Sequence, residues 1–163
     1  MTQPKGYSIT QIGLHWIVAL LILLQYVLND SISRAWRAYV EGREITFDPL
    51  VAQHVFGGIL IAILVFWRIA LRVRHGAPPP PEEEAPALKL VAKATHGLLY
   101  ALMLLLPLSG GLAWFMDVRP AAEAHEIMKA LLMLLVGLHI AGALYHQFVL
   151  RNNLIGRMKR PAD

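Results

Sequence analysis

Four stretches of this chain are apolar for about twenty residues each, enough for a helix to cross the roughly 30 Å hydrocarbon core of a bilayer. Inside lipid every backbone N–H and C=O must find its partner within the protein, so runs of this length become helices packed on one another. Composition agrees. Of the 163 residues, 56% are hydrophobic, whereas soluble domains hold about 45–50% even with glycine counted. Mean hydropathy is +0.50. The expected class is an all-α membrane protein.

The first run, Ile12 to Leu28, opens with Ser8-Ile9-Thr10-Gln11, which has the S-x-x-Q form of a capping box. A cleaved signal peptide is the competing reading, but Lys5 alone makes a poor charged leader and Asn29-Asp30-Ser31 is no A-x-A site. His15 lies in the first turns of this helix beside Trp16, an interfacial residue type. A polar connector, Asn29 to Asp48, follows, and Asp48-Pro49 reads as an N-cap with proline at the first helical position. The second run, Leu50 to about Val73, holds His54 near its start, Gly57 and Gly58 one turn on, and Arg68, Arg72 and Arg74 at its end. Two glycines there cost helix propensity. Either a flat macrocycle approaches that face, or a neighbouring helix packs closely through the small residues.

Ala77 to Pro86 is a polar, proline-rich loop that ends the second helix. The third run begins at about Leu88 or Ala94 and ends at Met116, with His96 near its start, Pro107 inside it and Gly110-Gly111 towards its end. Pro107 is expected to kink it. The short linker Asp117 to Ala122 makes the third and fourth helices antiparallel neighbours. The fourth runs to about Leu150, before Asn152-Asn153, Gly156 and a basic tail of Arg157, Lys159 and Arg160.

With no internal repeat, these spans, at about residues 11–29, 49–73, 90–116 and 122–150, read as one four-transmembrane-helix bundle over residues 1–163. Lys5, Arg68, Arg72, Arg74, Lys89, Lys93, Arg151, Arg157, Lys159 and Arg160 fall on one side, against Arg34, Arg37, Arg43, Arg119 and Lys129 on the other. Ten against five puts both termini in the cytoplasm. These charges flank apolar runs instead of forming a patch, which gives no case for nucleic acid. The lack of cysteine excludes disulfides, thiolate ligands, Fe–S clusters and covalent c-type haem attachment. Any haem would be held by histidine.

His125, His139 and His146 stand at i, i+14 and i+21 on one stripe of the fourth helix. The topology assigns depths: His54 and His125 to the outer half of the bilayer, His15, His96, His139 and His146 to the inner half. A packed or hydrogen-bonded histidine is the bland reading of any one of them, yet intramembrane ionisable residues are costly and point to function. Two pairs drawn from different helices at two depths are what bis-histidine ligation of two b-type haems requires. The outer pair is His54 with His125. For the inner site, depth alone matches His96 with His146 better than His15 with His139. A 14-residue spacing, however, sets the second iron about 21 Å from the first, whereas 21 residues would set it about 31 Å away, at the water boundary. The inner pair is therefore read as His15 with His139. His96 and His146 remain as a polar layer below it, for propionate contact, quinone binding, proton delivery or interfacial anchoring. Arg68, 14 residues after His54 on the same face, reaches the level of the inner cofactor, as a propionate clamp or as a snorkelling arginine at the boundary.

These residues together resemble the bacterial cytochrome b561 family, small four-helix di-haem cytochromes linked to quinone. The resemblance covers nearly the whole chain. It runs through Ile12-Gly13-Leu14-His15-Trp16, His54 with Gly58 and Arg68-Ile69-Ala70-Leu71-Arg72, Thr95-His96-Gly97, and Leu106-Pro107-Leu108-Ser109-Gly110. It continues in His125-Glu126, Gly137-Leu138-His139, His146, Arg151-Asn152-Asn153-Leu154 and Arg157-Met158. It implies two haem b groups, one on His15 and His139 and one on His54 and His125, and a single di-haem cytochrome b domain in the bacterial inner membrane.

The resemblance further implies electron transfer between membrane quinone, with ubiquinone as the probable substrate, and a second partner. That partner is a small anionic donor such as superoxide or a redox protein. Superoxide oxidase is one activity of the family, and the connector between the third and fourth helices is shorter here than in that member. Rival readings are a cytochrome b anchor or electron-relay subunit for a dehydrogenase or hydrogenase, and a haem-free proton-coupled transporter. The missing repeats and broken helices argue against the transporter.

Overall fold

A computed structural model describes residues 6–81 and 84–161; Lys5 of the basic count and Glu82 and Glu83 of the proline-rich loop lie outside the described residues. The elements in order are α1 (Ile9–Val27), α2 (Asp30–Val40), α3 (Pro49–His75), α4 (Pro86–Met116), α5 (Arg119–Phe148) and α6 (Leu154–Arg157). Among the described residues there is no strand. Helices α1, α3, α4 and α5 are long and apolar enough to cross a membrane.

Local chemistry sets their ends. Ser8 Oγ accepts from the Gln11 N–H at 3.3 Å and Gln11 Oε1 accepts from the Ser8 N–H at 3.0 Å, the reciprocal capping box at the start of α1. Asp48 Oδ1 accepts from the Leu50 N–H at 2.8 Å, with Pro49 opening α3. Gly76 closes α3 at φ 75°, a conformation that carries no Cβ penalty only in glycine. Helix α4 starts at Pro86, earlier than expected, because proline fits a first turn whose N–H would be unpaired anyway. It continues on both sides of Pro107. A two-residue turn, with Asp117 at φ 52°, then reverses the chain into α5.

The stretch expected as a plain polar connector contains α2. Its apolar residues Ile32, Trp36, Tyr39 and Val40 recur at helical spacing between Ser33, Arg34 and Arg37, the pattern of a helix lying at a water boundary. Asp30 in the first turn and Arg37 in the last complement the helix dipole. Helix α2 packs on α3. The Arg119 guanidinium carbon lies 5.9 Å from the Trp36 ring centre and 5.7 Å from that of Tyr39, which ties α2 to the start of α5.

In the bundle α1 packs on α3, α3 on α4 and α4 on α5. Val18, Ile61 and Val65 form one buried cluster with Ile22, Leu64 and Leu104; Leu99, Leu102 and Leu132 form another with Met128 and Leu135. Lipid is as apolar as these side chains, so close van der Waals contact and interhelical hydrogen bonds hold the bundle. Outward faces carry exposed Phe56, Phe66, Trp67, Leu108 and Leu134. At the end where both termini lie, Gln11 Nε2 donates to Gly76 O (3.3 Å), Trp16 Nε1 to Met158 O (2.8 Å) and Arg157 Nη1 to Pro79 O (2.9 Å). These bonds tie the tail and the proline-rich loop to the helices.

Candidate functional site

In the half of the bundle away from the termini, His54 of α3 faces His125 of α5 with ring centres 6.4 Å apart. His125 is held from behind. Its Nδ1 lies 3.0 Å from the Leu106 carbonyl and 3.1 Å from Ser109 Oγ, and Ser109 Oγ itself donates to that carbonyl at 3.0 Å. An Nδ1–H donated to a carbonyl fixes the tautomer and leaves Nε2 with its lone pair directed away, as in histidines that bind metals. Gly110 makes this approach fit, because a Cβ there would sit 3.2 Å from both Cε1 and Nδ1 of His125.

On the other side, Gln25 Nε2 donates to the His54 carbonyl at 2.7 Å and Gln53 Nε2 to Gln25 Oε1 at 2.9 Å. A Cβ on Gly57 would stand 3.3 Å from Gln25 Cδ, and one on Gly58 3.5 Å from Gln25 Nε2. Of the two readings of these glycines, the contacts support close helix packing. Gly58 also lines a cavity of about 590 Å³ with His54, His125, Leu106, Gly111 and Trp36, within the size range of small-molecule sites. His54 Nδ1 is buried there without a hydrogen-bond partner among the described residues.

In the half nearer the termini, His15 of α1 faces His139 of α5 with ring centres 6.1 Å apart. His96 of α4 lies edge-on to His139 at 5.2 Å, its Nδ1 2.6 Å from the Ala92 carbonyl. His146 was expected in a layer with His96 but lies in another group: its Nε2 is 3.1 Å from the buried Glu84 carboxylate and its Nδ1 2.8 Å from Asn152 Nδ2. Both ring nitrogens are thus engaged, Nε2 with the α3–α4 loop and Nδ1 with the segment that follows α5. Arg68 turns inward between helices, with Nε donating to Tyr100 Oη at 2.9 Å and Nη1 to the Gln11 carbonyl at 2.8 Å. Gln11 precedes His15 by one turn and Tyr100 follows His96 by one turn, which sets the guanidinium near the level of these rings.

An imidazole nitrogen binds a first-row metal at about 2.0 Å with its ring centre roughly 1.2 Å behind, so two histidines binding one iron from opposite sides would hold their centres about 6.4 Å apart. The pairs at 6.1 and 6.4 Å meet that spacing, and the 5.2 Å contact of His96 with His139 does not. No cluster of three or more His, Asp or Glu that could hold a bare ion occurs among the described residues. The sequence matches the family profile of prokaryotic cytochrome b561 over residues 6–161. The chain belongs to that family. It is 37% identical to cytochrome b562 of Cereibacter sphaeroides, over 99% of each chain. It is 29% identical to a probable superoxide oxidase, CybB, of Yersinia pestis, over 94% of this chain and 96% of that one. It is 28% identical to cytochrome b561 homolog 1 of Escherichia coli K12, over 93% and 96%. This is therefore a multi-pass membrane cytochrome b, and membership implies haem b.

Several residues that build the sites escape a reading of motifs. Gln25 is a lone amide in an apolar run, a signal that was there to be used. Ser109 sits inside a quoted segment without an assigned role, whereas nothing in the sequence singles out Glu84 from the neighbouring glutamates.

Proposed function

We propose that this cytochrome carries two haem b groups, one between His15 and His139 and one between His54 and His125, and moves electrons between a donor at the outer face and membrane quinone, with ubiquinone as the expected substrate. The supporting observation is the two histidine pairs at the spacing of axial ligands, each joining α5 to a different helix. The excess of basic residues beside the termini supports an orientation with both termini in the cytoplasm, in the bacterial inner membrane.

When bound, haem supplies the one-electron chemistry; the chain supplies ligands, orientation and exclusion of water. The Leu106 carbonyl and Ser109 hold the His125 ring, and Gln25 anchors the backbone at His54. Helix α2 covers the outer cavity through Trp36. Arg68 keeps one guanidinium nitrogen beyond its two hydrogen bonds for a propionate. His96, beside His139, is available at the inner site for propionate contact or for quinone and its two protons, whereas His146 is committed to Glu84 and Asn152.

For the donor, the name of the Yersinia pestis relative suggests superoxide. Arg43, Arg119 and Lys129 are paired with Glu41, Asp117 and Glu126, while Arg37 lines the outer cavity, where it would attract a small anion.

A reduced-minus-oxidised spectrum with haem quantification tests the cofactors. Two b-type haems per chain are expected, about one lost in His54→Ala and in His15→Ala, and both kept in His96→Ala. A preparation that binds no haem under any condition would end the proposal. Quinol formation driven by generated superoxide is expected. Its failure in protein whose haems another donor reduces would make this chain an electron-relay subunit.

A further inference from the structure

Arg68 is fixed between α1, α3 and α4 by two neutral partners, the Gln11 carbonyl and the Tyr100 hydroxyl, and no carboxylate pairs with it among the described residues. A guanidinium stays protonated, and between apolar helices its field is weakly screened; a propionate clasped by it is the cofactor's own charge, present with or without Arg68, so the guanidinium still adds one positive charge to the loaded site. The cation nearest in sequence to the outer pair is differently placed. Lys129, one turn after His125 and lining the same cavity, is neutralised by Glu126 at 2.6 Å. Arg37 also lines that cavity but is exposed, where water and salt screen it. A second asymmetry has the same sign: His125 donates its Nδ1–H to the Leu106 carbonyl, which makes the ring a stronger electron donor to a bound metal.

Adding an electron lowers the charge at an iron by one, which a fixed cation favours and an electron-rich ligand opposes. We infer that Arg68 makes the site between His15 and His139 the easier of the two to reduce, so that electrons run from the His54/His125 end towards the end where the termini lie. The inference rests on the two-haem reading and adds a direction to it.

Redox titration of the purified, haem-loaded protein tests it. Two midpoints are expected, and His54→Ala, with only the inner haem, should titrate at the upper one. Arg68→Gln should shift the upper midpoint down and leave the lower in place, whereas Arg68→Lys, which keeps the charge, should stay near wild type. Glu126→Gln, at an exposed carboxylate, frees Lys129 and at low salt should raise the lower midpoint alone. The inference is overturned if Arg68→Gln moves the lower midpoint, moves both equally or moves neither, or if the single haem of His54→Ala titrates at the lower value. Should Arg68→Gln fail to retain haem, Glu126→Gln decides, and an unmoved lower midpoint overturns the inference. A wild-type chain without haem would instead remove the two-haem reading beneath it.

Discussion

Gly110 offers a sharp test of how the outer pair is built. A methyl group there would stand 3.2 Å from two atoms of the His125 ring, whereas carbon contacts are comfortable at about 3.5–4.0 Å. The shortfall is roughly 0.3–0.8 Å. The ring cannot absorb it freely, since its Nδ1 is tied at 3.0 Å to the Leu106 carbonyl and at 3.1 Å to Ser109. Overpacking of this kind costs about 1–3 kcal/mol, and the better helix propensity of alanine returns about 1 kcal/mol. That gain stabilises α4 with or without haem, so the overpacking itself falls on the position of the proposed ligand His125, and Gly110→Ala should weaken haem retention at the outer site by about 5- to 150-fold. Gly111→Ala is the control. It has no heavy atom within 4 Å of its added carbon, yet it lines the same cavity. Haem per chain and the rate of haem transfer to a scavenging apoprotein would be measured for both variants. Equal loss in the two would show that the macrocycle, and not the His125 ring, needs the glycines, and full retention in Gly110→Ala would refute the reasoning.

Two other perturbations probe the ends of the bundle. Arg119→Ala removes two cation–π contacts to Trp36 and Tyr39, each worth about 0.5–1 kcal/mol, so α2 should loosen and limited proteolysis between residues 28 and 48 should quicken. An unchanged cleavage rate would mean that α2 is held by α3 alone. His146→Ala leaves the buried Glu84 carboxylate without its partner, a change of about 1–3 kcal/mol. The thermal midpoint should fall while both haems stay, and loss of a haem would contradict the placement of His146 outside the ligand sets.

What could be read from the sequence was whatever obeys the period of a helix or the chemistry of its ends. Apolar length located the spans, and Ser8 with Gln11 and Asp48 with Pro49 marked the starts of α1 and α3. A rise of 1.5 Å per residue turns sequence spacing into depth, and the rings of His15 and His139 and of His54 and His125 stand opposite one another. Lateral placement is where that reasoning fails. Depth cannot say that His96 leans on His139 while His146 turns away to Glu84, because azimuth between helices depends on packing that no single helix encodes. Helix α2 was missed for a different reason: its charged residues masked a 3.6-residue apolar pattern of only eleven residues. Gln25 was missed because a polar residue inside a span reads as an exception until its acceptor is known.

The arrangement of the helices gives the histidine pairs a structural part as well as a chemical one. Helix α5 packs closely on α4, and it meets α3 and α1 through His125 with His54 and His139 with His15. Elsewhere the helices are in direct contact through the two apolar clusters, in which Leu132 is the one buried residue of α5. Lipid supplies no hydrophobic force to press α5 further in. On the two-haem proposal, a flat group held by each pair would fill that gap and bridge helices that otherwise touch little, so its binding energy would add to the stability of the assembled bundle. The same gap explains why small residues are needed behind the rings. Gly110 lets α4 support His125 at contact distance, and Gly57 and Gly58 let α1 support the backbone at His54 through Gln25. The His54 and His125 segments are thereby each supported from the far side, and the two residues line a common cavity.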